Sequence, residues 1–367
     1  MGTVIIKGGR LWNGQRFSEN SELIYETENE KDQLLSLGEQ DMILPGVIDT
    51  HIHVWTPYAS RHLSVPADRI YYKGVVAAID AGSFGADVWH QANRFLMNTT
   101  PQTVKMFMHV LPAGLTGFPL RNKTQVENVD FDRVIEAAKA DRTGNLMGFK
   151  IHLGQMDLNH DVKLLKAARK CADAVGKHVA IHVSGAKAPF ETIAEYLKPG
   201  DMIAHAFSGI GDPILDQNGH VKECVKEAAA KGVRLDVAYA TRHFSWRVFR
   251  EARDEGILFD FVGTDSTAKN YENPEYGLYD IFHIASGLMN SGVPEEHVIR
   301  ALTTNPAEYT GYTLDLTKQV MVLKRENRIV PYYDDTSQGL DSYIIGDHEY
   351  VPVFFMDRGR IMFEKKW

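Results

Sequence analysis

The sequence predicts an α/β protein, a parallel (β/α)8 TIM barrel with a small β-sandwich domain formed from both chain termini. Three observations carry this: eight short apolar or β-branched runs, longer amphipathic stretches between them, and strand-like segments at both ends of the chain. The barrel is expected over residues 46–312 and the small β domain over residues 1–45 plus 313–367. The 367 residues accommodate both, since such a barrel takes roughly 250 residues.

The elements follow in chain order. Val4–Lys7 and Glu22–Glu26 read as short strands, with Gly8-Gly9 as a turn. The barrel strands are expected at Val47–His53, Val75–Ala81, Val104–Leu111, Leu146–Leu153, His178–Val183, Met202–His205, Val233–Val237 and Phe259–Gly263. Helices are expected at Asp130–Ala140, Asp161–Val175, Val221–Lys231 and Ser245–Glu255, where apolar residues recur at three- and four-residue spacing. Gly176, Gly232 and Gly256 follow three of these helices, as a left-handed helix terminus prefers. Gln319–Lys324, Ser342–Ile345 and Val351–Met356 return to strand-like patterning and are assigned to the small β domain.

Composition narrows the function classes. The chain is 44% hydrophobic and 24% charged, as an ordinary globular protein is, and its net charge of −8 comes without a basic cluster able to neutralise a phosphate backbone. Nucleic acid is therefore not an expected partner. No apolar run approaches the ~18 residues of a membrane helix, and the start lacks a basic segment followed by an apolar core, so no membrane association and a cytoplasmic location are expected. Cys171 and Cys224 sit in helical patterns without CxxC spacing and read as small packing residues.

Chemistry-bearing residues gather where a barrel keeps its active site, at the C-terminal ends of the strands. Strand one ends in His51-Ile52-His53, whose imidazoles share one face because strand side chains repeat every second residue. Strands four, five, six and eight end in Lys150, His182, His205 and Asp265. Singly, His182 or His205 could be a hydrogen-bonded core residue, Lys150 a snorkelling side chain and Asp265 a helix cap. Six such residues around one rim point instead to a metal site.

This ordered set resembles the amidohydrolase superfamily in its two-metal subtype. Pro45-Gly46-Val47-Ile48-Asp49-Thr50-His51-Ile52-His53 is similar to that family's opening motif, and Thr303-Thr304-Asn305-Pro306-Ala307 to its segment after strand eight. Asp80-Ala81-Gly82-Ser83, His205-Ala206-Phe207-Ser208-Gly209 and Lys231-Gly232-Val233 with Asp236 resemble the amidohydrolase/deacetylase, dihydroorotase-like branch. The resemblance implies two divalent metal ions: His51, His53 and Asp265 on the more buried one, His182 and His205 on the other. It further implies that Lys150 bridges both as a CO2-derived carbamate and that Asp265 moves the catalytic proton. Zinc suits imidazole and carboxylate-type ligands, with manganese, cobalt or iron able to occupy the same set.

Substrate recognition is assigned to His152, two residues beyond Lys150, to Arg242 and His243 in the loop after strand seven, and to Ser83 after strand two. His152 and the Ala238–Ser245 loop depart from the branch's usual pattern. Ser245 is expected to cap the next helix, and His109 to pack within the barrel. The activity expected is hydrolysis of an amide or ester bond of a small molecule, foremost deacylation of an N-acyl amino acid or related acyl ester. Cyclic-amide hydrolysis of the dihydroorotase or hydantoinase kind is the alternative within the family, and a non-catalytic scaffold on the same fold the alternative outside it. Self-association into a homo-oligomer is left open.

Overall fold

The structure is a computed structural model describing residues 1–116, 125–211, 214–268, 280–334 and 342–365. Its centre is a seven-stranded parallel sheet whose strands lie side by side in chain order. They are Val47–Ile52, Val75–Asp80, Thr103–His109, Leu146–His152, His178–His182, Met202–Ala204 and Arg234–Asp236. The first and second strands are buried throughout, as expected where helices cover one face of a sheet and its curvature encloses the other.

The eighth run differs from expectation. Phe259–Gly263 forms no regular strand; the chain there touches its neighbours through isolated parallel bridges, Asp236 with Phe261 on one side and Ile52 with Ser266 on the other. The reason is competition for its backbone donors. Gly263 N donates to Asp236 Oδ1 at 2.9 Å and Thr264 N to Asp49 Oδ1 at 3.0 Å, so two buried carboxylates take groups that a ladder would use. The segment still lies between the seventh and first strands and brings the sheet round into a near-closed barrel.

Helices form where the pattern places them. Asp130 caps Phe131–Lys139 by accepting from Asp132 N and Arg133 N, and Ser245 caps Trp246–Asp254 by accepting from Val248 N. Gly176 ends Leu158–Val175 with φ 64°, a conformation in which a Cβ would be costly. Inside the barrel, Ile79, Phe107, Met147, Ala180, Met202 and Phe261 form a separate apolar cluster. Phe107 and Ala180 share a strand face with His109 and His182 two residues on, which sets this plug directly below the strand ends.

Both termini build β structure. Gly2–Lys7 lies between Glu22–Thr27 and Gln33–Ser36 in a three-stranded sheet. A six-stranded sheet runs in the order Arg360–Glu364, Glu349–Asp357, Gln319–Glu326, Met42–Leu44, Arg10–Trp12, Phe17–Glu19. Val4, Ile6 and Leu35 of the first sheet pack against Ile43, Val320, Val322, Val353, Phe354 and Met356 of the second, a core distinct from that of the barrel. The expected Ser342–Ile345 strand is not part of either sheet: Tyr343–Gly346 pairs with Val330–Tyr333 in a separate hairpin. Among the described residues no helix is long and apolar enough to cross a membrane, and both cysteines are free.

Candidate metal centre

The barrel brings His51, His53, Lys150, His182, His205 and Asp265 into one buried cluster, each 6% exposed or less. Asp265 Oδ1 lies 3.6 Å from His51 Nε2 and 3.4 Å from His53 Nε2, and its Oδ2 lies 3.9 Å from His205 Nε2. Lys150 Nζ is 3.4 Å from His51 Nε2, and the rings of His205 and His182 are 4.3 Å apart. Metal–ligand bonds of about 2.0–2.2 Å put two ligands of a tetrahedral ion roughly 3.3–3.6 Å apart. The separations of Asp265 from His51 and His53 are of that size, and the three ligand atoms all lie within 4.8 Å of one another.

The outward nitrogens fix which ring atoms face the cluster. His51 Nδ1 is 3.3 Å from Asp236 Oδ2, and His205 Nδ1 donates to the Ala238 carbonyl at 2.7 Å. Those acceptors cannot donate, so in both rings the proton sits on Nδ1 and the lone pair on Nε2. His182 is reversed: its Nε2 donates to the Ser184 carbonyl at 3.1 Å, which leaves Nδ1 as the lone-pair atom. His205 Nε2 is buried and has no hydrogen-bond partner among the described residues. Such an atom costs stability unless something accepts its lone pair, and a divalent cation does so. His51, His53 and Asp265 could therefore hold one ion, with the lone pair of His205 beside them.

Holding these groups strains the backbone. His205, Ala238 and Asp265 have φ of 60°, 38° and 51°, the left-handed region, where a non-glycine residue costs about 1–2 kcal/mol. All three turn the chain at strand ends of the centre. Two glycines make room: a Cβ on Gly82 would lie 2.5 Å from Lys150 Cβ, and one on Gly263 would lie 2.4 Å from His51 Cβ. The sites of Lys150 and His51 thus depend on hydrogen atoms where any other residue carries a methyl.

Burial dominates the electrostatics. It lowers Lys150 to about 8, against partial support from Asp265, Asp236 and Asp80, and pushes His51, His182 and His205 well below the ordinary imidazole range. Burial also raises Asp236 to about 6 and Asp49 to about 7. Asp265 goes the other way. Burial opposes its charge, yet the proximity of the His53, His51 and His205 imidazoles holds it well below the usual carboxylate range.

The residues assigned to substrate separate into two groups. His152 stacks on His182 with ring centroids 3.7 Å apart, and His243 lies 4.9 Å from His182 and 4.6 Å from His205, its Nδ1 2.8 Å from Ser184 Oγ. Arg242 is exposed. Ser83 lies instead behind His53, 2% exposed, with its Oγ 2.9 Å from His53 Nδ1. His109 is buried in the barrel beside Lys150, and burial lowers it to about 4. Sequence reasoning passed over Asp80, Asp236 and Ser184. Asp80 and Asp236 are ionisable residues at strand ends, so the criterion that found the other six also selects them.

A parallel β/α barrel with imidazole, lysine and carboxylate groups converging at its strand ends is an arrangement that could hold divalent metal. The chain is 25% identical over 295 residues to a deacetylase of Brucella anthropi, covering 80% of this chain and 69% of that protein. It is also 25% identical over 268 residues to a deacetylase of Agrobacterium fabrum, covering 72% of this chain and 64% of that one. Among solved structures it superposes on a dihydroorotase with TM-score 0.81 at 19% identity, over 100% of this chain and 98% of the other. An adenine deaminase gives TM-score 0.80 at 20% identity, over 98% of each chain. No protein-family model matches. Fold, residue cluster and sequence relatives together support a hydrolase of the amidohydrolase superfamily, and its dihydroorotase-like branch fits them.

Proposed function

We propose that this chain hydrolyses an amide or ester bond of a small molecule, and that its substrate is an N-acyl amino acid or a related acyl ester. The observation that supports this reading is the convergence of four histidines, each with its outward nitrogen tied, on Lys150 and Asp265. In it, His51, His53 and Asp265 would hold one divalent ion and His182 and His205 a second, with Lys150 placed to serve both. Two such ions, zinc by preference, would polarise a carbonyl and lower the pKa of water from 15.7 to about 7.

The protein's own groups do the rest. Lys150, lowered to about 8 by burial, presents an uncharged amine fraction whose lone pair attacks CO2. An N–C bond forms, a proton leaves, and the resulting carbamate offers two oxygens where the amine offered one nitrogen. Asp265, kept ionised by its imidazole neighbours, accepts a proton from the attacking water and passes it to the departing amine or alcohol. His152 and His243, kept neutral by burial, form the wall that meets the substrate beyond His182, with Arg242 at the rim.

The test is a screen of bicarbonate- and metal-reconstituted protein against N-acyl D- and L-amino acids, acyl-hydroxy acid esters and cyclic imides. Turnover of an acyl compound is expected, and metal-replete Asp265→Asn should lose about 10²–10⁴ of it. If acyl compounds are inert and a cyclic imide is opened, the deacylase reading is wrong; a purified protein that takes up no metal removes the hydrolase reading altogether.

A further inference from the structure

The loop after the second barrel strand supplies no group to the cluster, yet it touches two members of it. Asp80, fully buried at the end of that strand, accepts from Val54 N at 2.8 Å and from Ser83 Oγ at 2.7 Å on Oδ2, and from Gly82 N and Ser83 N at 3.1 and 2.7 Å on Oδ1. Four donors converge on one carboxylate. The Ser83 hydroxyl hydrogen is thereby committed to Asp80, and its oxygen turns a lone pair toward His53 Nδ1, 2.9 Å away.

We propose that Asp80 and Ser83 form a positioning relay that fixes His53 as the Nδ1–H tautomer and aims its Nε2 lone pair at the metal. This rests on the reading of the cluster as a metal centre. The committed hydroxyl leaves Ser83 only an acceptor role toward the ring, so His53 Nδ1 must donate and Nε2, 3.4 Å from Asp265 Oδ1, is left to bind. The neighbouring ligand is served differently. His51 Nδ1 meets the carboxylate of Asp236 directly, whereas His53 Nδ1 meets one through a hydroxyl. Ser83 is thus a holder of a ligand rather than a substrate contact, which accounts for its burial at 2% exposure. The same loop positions Lys150: Gly82, at φ 87°, makes the turn that lets Ser83 reach back, and its missing Cβ is the space that Lys150 fills.

The experiment is Co2+ titration of metal-free full-length protein, followed by visible absorption, with thermal unfolding of each metal-free variant alongside. Ser83→Ala should raise the Co2+ dissociation constant about 10- to 100-fold and change the ligand-field spectrum, and the stranded His53 donor should also lower the metal-free unfolding temperature. Ser83→Thr, which keeps the hydroxyl, should restore affinity to within about threefold of wild type, the scale on which a tenfold change is 1.4 kcal/mol. Ser83→Cys, a weaker acceptor of similar size, should fall between them and is the variant read if Ser83→Ala is not recovered folded. Wild-type affinity in Ser83→Ala or Ser83→Cys overturns the relay while leaving the metal centre standing. Equal weakening in Ser83→Thr and Ser83→Ala also overturns it, since only shape would then matter. A wild-type protein that binds no Co2+ overturns the metal centre, and the relay with it.

Discussion

Gly263 sits where the incomplete eighth strand passes the first, and a single methyl there tests how tightly the centre is built. A Cβ at this position would lie 2.4 Å from His51 Cβ, 2.9 Å from His51 N and 3.1 Å from Asp236 Oδ1. Carbon atoms in contact rest about 3.5–4.0 Å apart, so Gly263→Ala requires His51 and the 263 backbone to separate by roughly 1 Å. Neither yields easily. His51 is 2% exposed, and its carbonyl accepts from Asp265 N at 2.6 Å, so moving it also moves Asp265. Overpacking of this kind costs about 1–3 kcal/mol, which for a chain of this size lowers Tm by roughly 1–4 °C. Gly263 does not occupy the left-handed region, so the cost is steric. Gly256→Ala is the control: its φ is 80° and nothing lies within 4 Å of its Cβ, so it pays about 1 kcal/mol in backbone strain far from the centre. Calorimetry of metal-free protein, paired with metal analysis after reconstitution, reads both effects. Gly263→Ala should lose stability and metal, Gly256→Ala stability alone. Full metal content at wild-type affinity in Gly263→Ala would refute the claim that the close approach sets the position of His51.

Four further outcomes follow from the same geometry. Asp236→Asn replaces a carboxylate that accepts from Thr50 Oγ1, Gly263 N, Ala238 N and His51 Nδ1 with a group offering one oxygen. At about 1–3 kcal/mol per stranded buried donor, it should lower both Tm and metal affinity, measured by calorimetry and chelator competition. Lys150→Met should reduce metal from about two equivalents to about one by elemental analysis, because the bridging group is gone. Stripping wild-type protein with a chelator should lower Tm, and restoring free metal to 100 times its Kd should return about 2.7 kcal/mol of stability. Phe354→Ala empties a fully buried position in the core between the terminal sheets; it should cost about 3–5 kcal/mol by denaturant titration and leave metal stoichiometry unchanged.

The barrel was legible because its strands are buried on both faces and announce themselves as continuous apolar runs, while glycines stop the helices between them. The convergence of His51, His53, Lys150, His182, His205 and Asp265 was legible for a related reason: an ionisable side chain after such a run has few places to go but the rim. Asp80 and Asp236 were overlooked although they satisfy the same criterion, because a carboxylate that accepts from backbone amides and one that faces a metal look alike in sequence. The left-handed backbone at His205, Ala238 and Asp265 was invisible, since no glycine marks it and histidine and aspartate adopt it far less often than other conformations. Ser83 was misread as a pocket residue because its depth depends on the turn at Gly82. The eighth strand was expected to be regular because its composition is that of a strand; its amides are claimed by Asp49 and Asp236, whose side chains arrive from elsewhere in the fold. Pairing among terminal segments was equally hidden, since the short strand Met42–Leu44 pairs with Arg10–Trp12 on one side and with Gln319–Glu326, hundreds of residues further along the chain, on the other.

The sparse bridging of the eighth segment gives the barrel a seam. Seven strands are laced by ladders, and backbone bonds from Val237, Tyr239 and Ala240 hold the eighth segment to the seventh strand. Among the described residues, however, it meets the first through the isolated bridge of Ile52 with Ser266 and the bond from Asp265 N to the His51 carbonyl. His51 and His53 stand on one lip of that seam and Asp265 on the other. An ion gripped by all three would act as a rivet through the wall, so that the site of chemistry would also be the fastening that keeps the cylinder shut. Metal loss would then register first as breathing along this line, with amide exchange quickening at residues 261–266 before the rest of the barrel notices.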